Sequence, residues 1–593
     1  AKGRAMPITL PWTLALLACR PPADAFSARV DTELLELYRA SETAHWVHET
    51  DLTDAHERAA ALTDEATMAY LSKTIPRAAS YDPSTVDPIV ARQLMLLKTS
   101  SPLPAPADAA LRAELAATAT RMGSTYGKGE WCPSGPESCL DIGEISEKLA
   151  ASSDPAEQKA LVHGWQTIAE PMRADYTRFV ELGNQGAREI GFADLGELWR
   201  SGYDMPPAEL EAEVDRLWGQ LAPLYEQLHC NTRAKLSEKY GAEVVPPTGP
   251  IPAELFGNLW AQDWSALDEL VEPYPDQPSL DVDATLAANR WDAQKMAKTA
   301  EGFFVSLGLD PLPTTFWERS MFVQPPDREV VCHASAWDPS WSDDLRIKMC
   351  IKPTKEDLVT LHHELGHLYY YHYYKDQPTL FRSGANDGFH EAIGDTIALS
   401  ITPSYLKQVG LLETVSESPE AVINAQMQVA LERLAFLPFG LVVDRWRWEV
   451  FDGRIPADGY NAGWWRLRTE LQGVAPSGPR GETAFDPGAK YHVPANTPYL
   501  RYFLAHVLEF QLHRALCEEA GWTGPLHECS VYGSAAAGAK LRALLELGAS
   551  KPWPDALEAA TGQRQLDASA LVEYFQPLMG YLEAQNAGRT CGW

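Results

Sequence analysis

Positive charge is scarce in this sequence. Lys and Arg number 50 against 81 Asp and Glu, a net charge of −31 over 593 residues. So acidic a chain excludes nucleic acid as a partner on electrostatic grounds and favours cationic ligands or plain solubility. Long apolar runs are also missing. Beyond the N-terminus no stretch of about 18 apolar residues occurs, so no transmembrane helix is expected in the body of the chain. Repeats, heptads and low-complexity tracts are lacking, which excludes solenoids and coiled coils. No Asn-x-Ser/Thr sequon is present, which points towards a bacterial source. β patterning is confined to one short region, so the fold is expected to be mainly α. What is present, 45% hydrophobic and 22% charged residues, is ordinary for a globular protein.

The N-terminus reads as a targeting segment over residues 1–26. Lys2 and Arg4 are basic, and Ile8 to Ala18 is apolar but too short to span a bilayer. Leu16-Leu17-Ala18-Cys19 has the form of a lipobox, making Cys19 a candidate lipid anchor; ordinary secretory cleavage near Ala23-Asp24-Ala25 is the alternative. Export to the periplasm, the outer membrane or the medium is expected. Eight further cysteines suit an oxidising compartment. Three pairs are close in sequence, Cys132 with Cys139, Cys332 with Cys350 and Cys517 with Cys529, although spacing alone does not fix connectivity. Cys230 and Cys591 are left either free or bridged to each other.

Chemistry concentrates in Val359-Thr-Leu-His-His-Glu-Leu-Gly-His367. Residues i and i+4 project from one face of a helix, so His363 and His367 can offer two imidazole nitrogens to one Zn²⁺. Glu364 lies one position on, where it can act as general base on a water. His362 is out of helical register with His367. A catalytic zinc takes three protein ligands and keeps one position open. Glu391, in Gly388-Phe-His-Glu-Ala-Ile-Gly-Asp395, is the preferred third ligand over His390, because it shares a helical face with Asp395. A carboxylate at Asp395 can fix the tautomer of a ligand histidine.

The remaining pattern is helical over 31–59, 54–76, 85–99, 108–122, 143–151, 155–191 and 207–239, and again from 419 onward, with loops at 246–252, 453–461 and 473–489. Leu345 to Lys352 alternates apolar and polar, and Glu329 to Trp337 is a second extended candidate, joined by the turn-rich 338–344. Such a hairpin sets Cys332 across from Cys350 and leads into the zinc helix, where its edge can hold an extended peptide. The segment Lys490 to Tyr502 gathers Lys490, His492, Tyr499, Arg501 and Tyr502 between prolines, a functional candidate.

These motifs resemble the angiotensin-converting-enzyme family of zinc dipeptidyl carboxypeptidases. The resemblance rests on Val331-Cys-His-Ala-Ser-Ala-Trp337, His362-His-Glu-Leu-Gly-His367, Gly384-Ala-Asn-Asp-Gly-Phe-His-Glu-Ala-Ile-Gly-Asp395, Asp486-Pro-Gly-Ala-Lys490 and Pro498-Tyr-Leu-Arg-Tyr-Phe503. It implies a two-lobed helical metallopeptidase with a deep central cleft, one catalytic domain over 27–593 and oligopeptide substrates with a free C-terminus. His363, His367 and Glu391 would bind zinc, with Glu364 as base and His492 and Tyr502 stabilising the oxyanion. Gln262, Lys490 and Tyr499 would grip the substrate carboxylate, and His333 with the backbone of Ala334 would hold the peptide. The three close cysteine pairs match the family's bridges. Arg501 with Tyr203 matches one chloride site. At the other, Trp464 and Arg468 are retained but Gln166 stands where an arginine is expected, so one functional chloride is expected. Asp263 and His506 also depart from the family's cleft lining, so subsite preference does not carry over.

Overall fold

The computed structural model describes residues 21–277, 282–415 and 418–593, and they form a mainly helical body. The lipobox, Cys19 and the basic N-terminal residues lie outside the described residues.

The first helix, Ala23–Thr50, starts four residues before the boundary expected for the mature domain, and Phe26 at its start is buried against Tyr81. It does not run on to residue 59. The chain turns at 51–53, and the Thr53 side chain accepts from the His56 backbone N–H to cap a second helix, Asp54–Ala79. The segment 155–191 is likewise broken. Helices Pro155–Gln166 and Arg173–Glu189 flank a tighter turn, Thr167–Met172, that contains Pro171. Proline supplies no N–H to the helical ladder, which accounts for the break. Pro419–Phe451 is one continuous helical stretch, long and apolar enough to cross a membrane by length and composition. Of its most apolar window 72% is buried inside the protein, which is the behaviour of a core helix.

The expected hairpin forms, with shorter strands. Ser335, Ala336 and Trp337 pair antiparallel with Lys348, Ile347 and Arg346. Met321 pairs along the other edge of the second strand: its N–H donates to Ile347 O and its carbonyl accepts from Met349 N–H. A second, parallel pair, Ile251–Pro252 with Val474–Ala475, lies where loops were expected; two-residue strands have no readable period. Lys348 is buried, and its ammonium donates to Val331 O (2.9 Å) and His333 O (2.7 Å) and pairs with Glu49 (2.9 Å). Arg39 donates to Ser340 O at 2.7 Å, Tyr38 stacks on Trp341 and Trp46 meets Trp337 edge-on. The first helix is thereby fixed across the hairpin.

The three close cysteine pairs are bonded as the resemblance implies, and Cys230 is bonded to Cys591 with a Cα–Cα distance of 5.2 Å.

Candidate metal centre and substrate clamp

Two helices carry the metal-type side chains. Lys355–Tyr374 is capped by the Thr354 side chain, and Asp387–Ala398 by the Asn386 side chain. They cross at two glycines. A Cβ on Gly366 would lie 2.8 Å from Gly394 Cα, and one on Gly394 would lie 2.7 Å from His363 Nδ1. Only glycine permits this approach, and the approach brings the two halves of the ligand set together.

His363, His367 and Glu391 each offer a ligand atom, all within 4.8 Å of one another. The two Nε2 atoms are 3.1 Å apart, and His363 Nε2 is 3.7 Å from Glu391 Oε2. Ligands about 2.0–2.1 Å from a tetrahedral ion stand about 3.4 Å from each other, so this N,N,O set fits zinc. His363 Nδ1–H donates to Asp395 Oδ1 at 3.1 Å, which leaves its Nε2 lone pair facing the shared point. Arg433 donates to Asp395 at 3.2 Å and also pairs with the buried Glu509; against the cost of burial, Arg433 and His363 hold the Asp395 carboxyl well below its usual range. Glu391 keeps 40% of its side chain exposed, so the site is open to solvent on one side.

The other two histidines are occupied elsewhere. His390 meets His367 Nδ1 at 3.2 Å and the Tyr374 hydroxyl at 3.2 Å, behind the ligand set. His362 is buried, bonded to Leu358 O and the Tyr405 hydroxyl. Glu364 is buried beside the set, and burial pushes its carboxyl up to about 7, with Glu391 adding to the shift and His363 opposing it.

A second group assembles from distant segments. Lys490 Nζ donates to Gln262 Oε1 at 3.1 Å, and the Tyr499 hydroxyl donates to the same oxygen at 3.1 Å. The ammonium lies 4.1 Å from the centre of the Trp260 ring. Burial without a carboxylate partner brings its pKa down to about 7. His492 packs on Tyr499 (4.6 Å) and approaches Tyr502 (5.8 Å). Burial lowers its pKa to about 3, with Lys490, Arg447 and Arg501 adding, so at neutral pH the ring is uncharged.

One carboxylate organises this loop. Asp444 accepts from the backbone N–H of Tyr499 (2.8 Å) and of Leu500 (2.7 Å), at the start of the helix Leu500–Glu519. It also pairs with the buried Arg447, which donates to His492 O and Thr497 O, both at 2.7 Å. Sequence reading passed over Asp444, Arg447 and Arg433. Charges inside an otherwise apolar helix are the signal that would have found them, since such groups are buried only when paired.

The residues expected around chloride are differently placed. Arg501 Nε lies 3.2 Å from Asp387 Oδ2, with the buried Tyr203 near the same carboxylate. Arg468 is buried, donating to Trp260 O (2.6 Å) and Gln472 Oε1 (3.0 Å), with no carboxylate at ion-pair distance among the described residues. Trp464 packs edge-on against Phe439 and Trp446 nearby in the core. Gln166 is buried with its Oε1 unpartnered. His333 is exposed just before the hairpin, next to the half-buried Ala334. Asp263 closes a turn onto Ser265 N–H, and His506 accepts the stacking of Phe436.

A family model described as "Angiotensin-converting enzyme" matches residues 20–593. The chain belongs to the angiotensin-converting enzyme family. It is 43% identical over 585 residues to angiotensin-converting enzyme of Oryctolagus cuniculus, covering 96% of this chain and 44% of that protein. It is 44% identical over 470 residues to that of Theromyzon tessulatum, covering 78% of this chain and 76% of the relative. Mus musculus angiotensin-converting enzyme-like protein Ace3 is 41% identical over 484 residues, 80% of this chain and 65% of that one. The chain thus spans less than half the length of the mammalian converting enzymes it matches.

Proposed function

We propose that this chain is a zinc-dependent peptidyl-dipeptidase that releases dipeptides from the C-terminus of oligopeptides. The observation that carries the reading is the convergence of His363, His367 and Glu391 beside a buried Glu364. These three residues would hold zinc, which when bound acts as a Lewis acid on the scissile carbonyl and makes water more acidic. Glu364 takes the proton from the attacking water and passes it to the leaving amine, and its burial beside the ligand set favours holding that proton between the two transfers. Tyr502 and the neutral His492 donate to the oxyanion as it develops. Gln262, Lys490 and Tyr499 take the substrate's terminal carboxylate, with Lys490 supplying the charge. His333 and the backbone at Ala334 hold the peptide on the other side of the scissile bond. A clamp at a fixed distance from the metal acts as a ruler and sets the length released.

Release of a single residue is the second reading; the neutral Gln262, where that activity would call for an arginine, argues against it. An inactive peptide-binding homologue is the third, and the intact ligand set with Glu364 argues against that. Mass spectrometry of products from a peptide panel, with and without chelator, separates them. Dipeptide products lost on chelation support the proposal; single residues, or no products, refute it.

Residues 27–593 would form one catalytic domain of two subdomains around the cleft. Four disulfides support an exported protein, whether periplasmic, anchored through Cys19 or secreted. A chloride held by Arg501 and Tyr203 belongs to the same reading, and would have to share Arg501 with Asp387.

A further inference from the structure

The turn that carries Gln262 is built around a strained residue. Ala261 lies between Trp260 and Gln262, is fully buried, and has φ of 50°, in the left-handed region that residues other than glycine seldom adopt. Its neighbours on both sides face the Lys490 ammonium, Trp260 with its ring and Gln262 with its side-chain oxygen. The strain persists because both adjoining peptide units are held. Gln472 Nε2 donates to Trp260 O at 3.0 Å and to Ala261 O at 2.7 Å. The Trp264 indole N–H adds a second bond to Ala261 O at 2.9 Å, and Asn258 Oδ1 accepts from the N–H of Trp260 (3.0 Å) and of Gln262 (3.3 Å). Gln472 is itself fixed. It is fully buried, its Oε1 accepts from Arg468 Nε at 3.0 Å, and its backbone carbonyl accepts from the Tyr225 hydroxyl at 2.7 Å. It closes a widened turn, Arg468–Gln472, that continues the helix Tyr460–Leu467; one-turn segments of this kind recur at functional sites. A carboxamide offers two N–H donors and an acceptor on one rigid plane, and here donors and acceptor are all used.

We propose that Gln472 is a positioning residue for the carboxylate clamp. By gripping the peptide units before and after Ala261, it keeps the turn left-handed and aims Gln262 at Lys490 and Tyr499. Without that grip Ala261 relaxes to an ordinary backbone angle, the peptide unit before Gln262 rotates, and the Gln262 side chain leaves the ammonium. Gln472 acts only through Gln262. The role rests on the peptidase reading, in which Gln262, Lys490 and Tyr499 take the terminal carboxylate of the substrate. Loss of Gln472 should therefore cost recognition of a free C-terminus rather than chemistry at the metal.

The test compares zinc-loaded wild type, Gln472→Met, and Gln472→Met combined with Ala261→Gly. The substrates are one blocked tripeptide with a free C-terminal carboxylate and the same peptide as its C-terminal amide. Methionine keeps the length of the side chain and removes both donors. Gln472→Met should raise KM for the acid about tenfold, the scale of one weakened charged hydrogen bond, with kcat within about twofold. For the amide kcat/KM should stay within about twofold, so the preference for the acid shrinks by about tenfold. Glycine takes a left-handed angle without strain, so adding Ala261→Gly should restore at least about threefold of that preference. Equilibrium binding of both peptides in a Glu364→Gln background, where turnover is suppressed, should show the same acid-specific loss. An unchanged preference in Gln472→Met would overturn the proposal, as would an equal loss for acid and amide, or a double variant no better than the single one. If Gln472→Met does not fold, Gln472→Asn, which withdraws the amide by one methylene, takes its place under the same criteria. A wild type that releases no dipeptide would defeat the peptidase reading alone, because the binding comparison still decides the role of Gln472.

Discussion

The metal side of the site is made from near neighbours, and the clamp side from strangers. His363 and its partner Asp395 are 32 residues apart, and both ride on helices whose period sets their direction. Gln262 is 228 residues from Lys490 and 237 from Tyr499. The two sides also carry opposite electrostatic strain. Burial raises the Glu364 carboxyl on one side and lowers the Lys490 ammonium on the other, each towards about 7. The lesson is that one desolvated site holds its acid and its cation both close to their switching points, but by different scaffolds. Two crossing helices hold the first, and a loop pinned by Asp444 and Arg447 holds the second.

Substitutions on the two sides should have different consequences. Glu364→Gln on the metal side should have the largest effect, lowering kcat by about 10²–10⁴ while one zinc per chain is retained. Metal analysis beside steady-state kinetics checks this, and near wild-type turnover would place the base elsewhere. Tyr502→Phe should lower kcat by about 10²–10³ with KM little changed. A KM effect alone would make Tyr502 a binding group.

Lys490→Met on the clamp side should lower kcat/KM by about 10–10² for peptides with a free C-terminus, the scale of a lost charged hydrogen bond. C-terminally amidated peptides should be indifferent. The same residue predicts a pH dependence. Lys490 is charged below about 7 in the free enzyme and neutral above it, so kcat/KM for free-carboxylate peptides should fall as pH rises through about 7. An identical profile for amidated peptides would assign that limb to another group. The smallest effect is expected from His333→Ala. An exposed side chain offering one neutral hydrogen bond is worth about 0.5–1.5 kcal/mol, so kcat/KM should drop less than about tenfold.

The same contrast marks how far the sequence could be read. Helical spacing alone exposed His363, Glu364, His367, Glu391 and Asp395, because each relation is local. The glycine contact of Gly366 with Gly394 was invisible, since nothing in either motif says that the two helices touch. The clamp was reached only through resemblance, because its members meet by tertiary packing. Asp444 and Arg447, which hold the loop, and Arg433, which holds Asp395, belong to no motif. The Cys230–Cys591 bridge is unreadable for the same reason, with 361 residues between its ends. Asp387 stands inside one quoted motif and Arg501 in another, and only tertiary packing brings them to 3.2 Å.

The seating of the first helix on the hairpin has a consequence in time. Arg39 waits for Ser340, 301 residues later, and Tyr38 and Trp46 wait for Trp341 and Trp337. At a synthesis rate of about 5–20 residues per second, that interval is about 15–60 s. Through it the aromatic side of the helix made first has no native surface to cover it. This helix can pack early on the second helix and the residues just after it, through Tyr70 on Glu33 and Phe26 on Tyr81, but it completes its seating only when the hairpin follows, and until then its aromatic side is open to whatever machinery binds unfolded apolar segments.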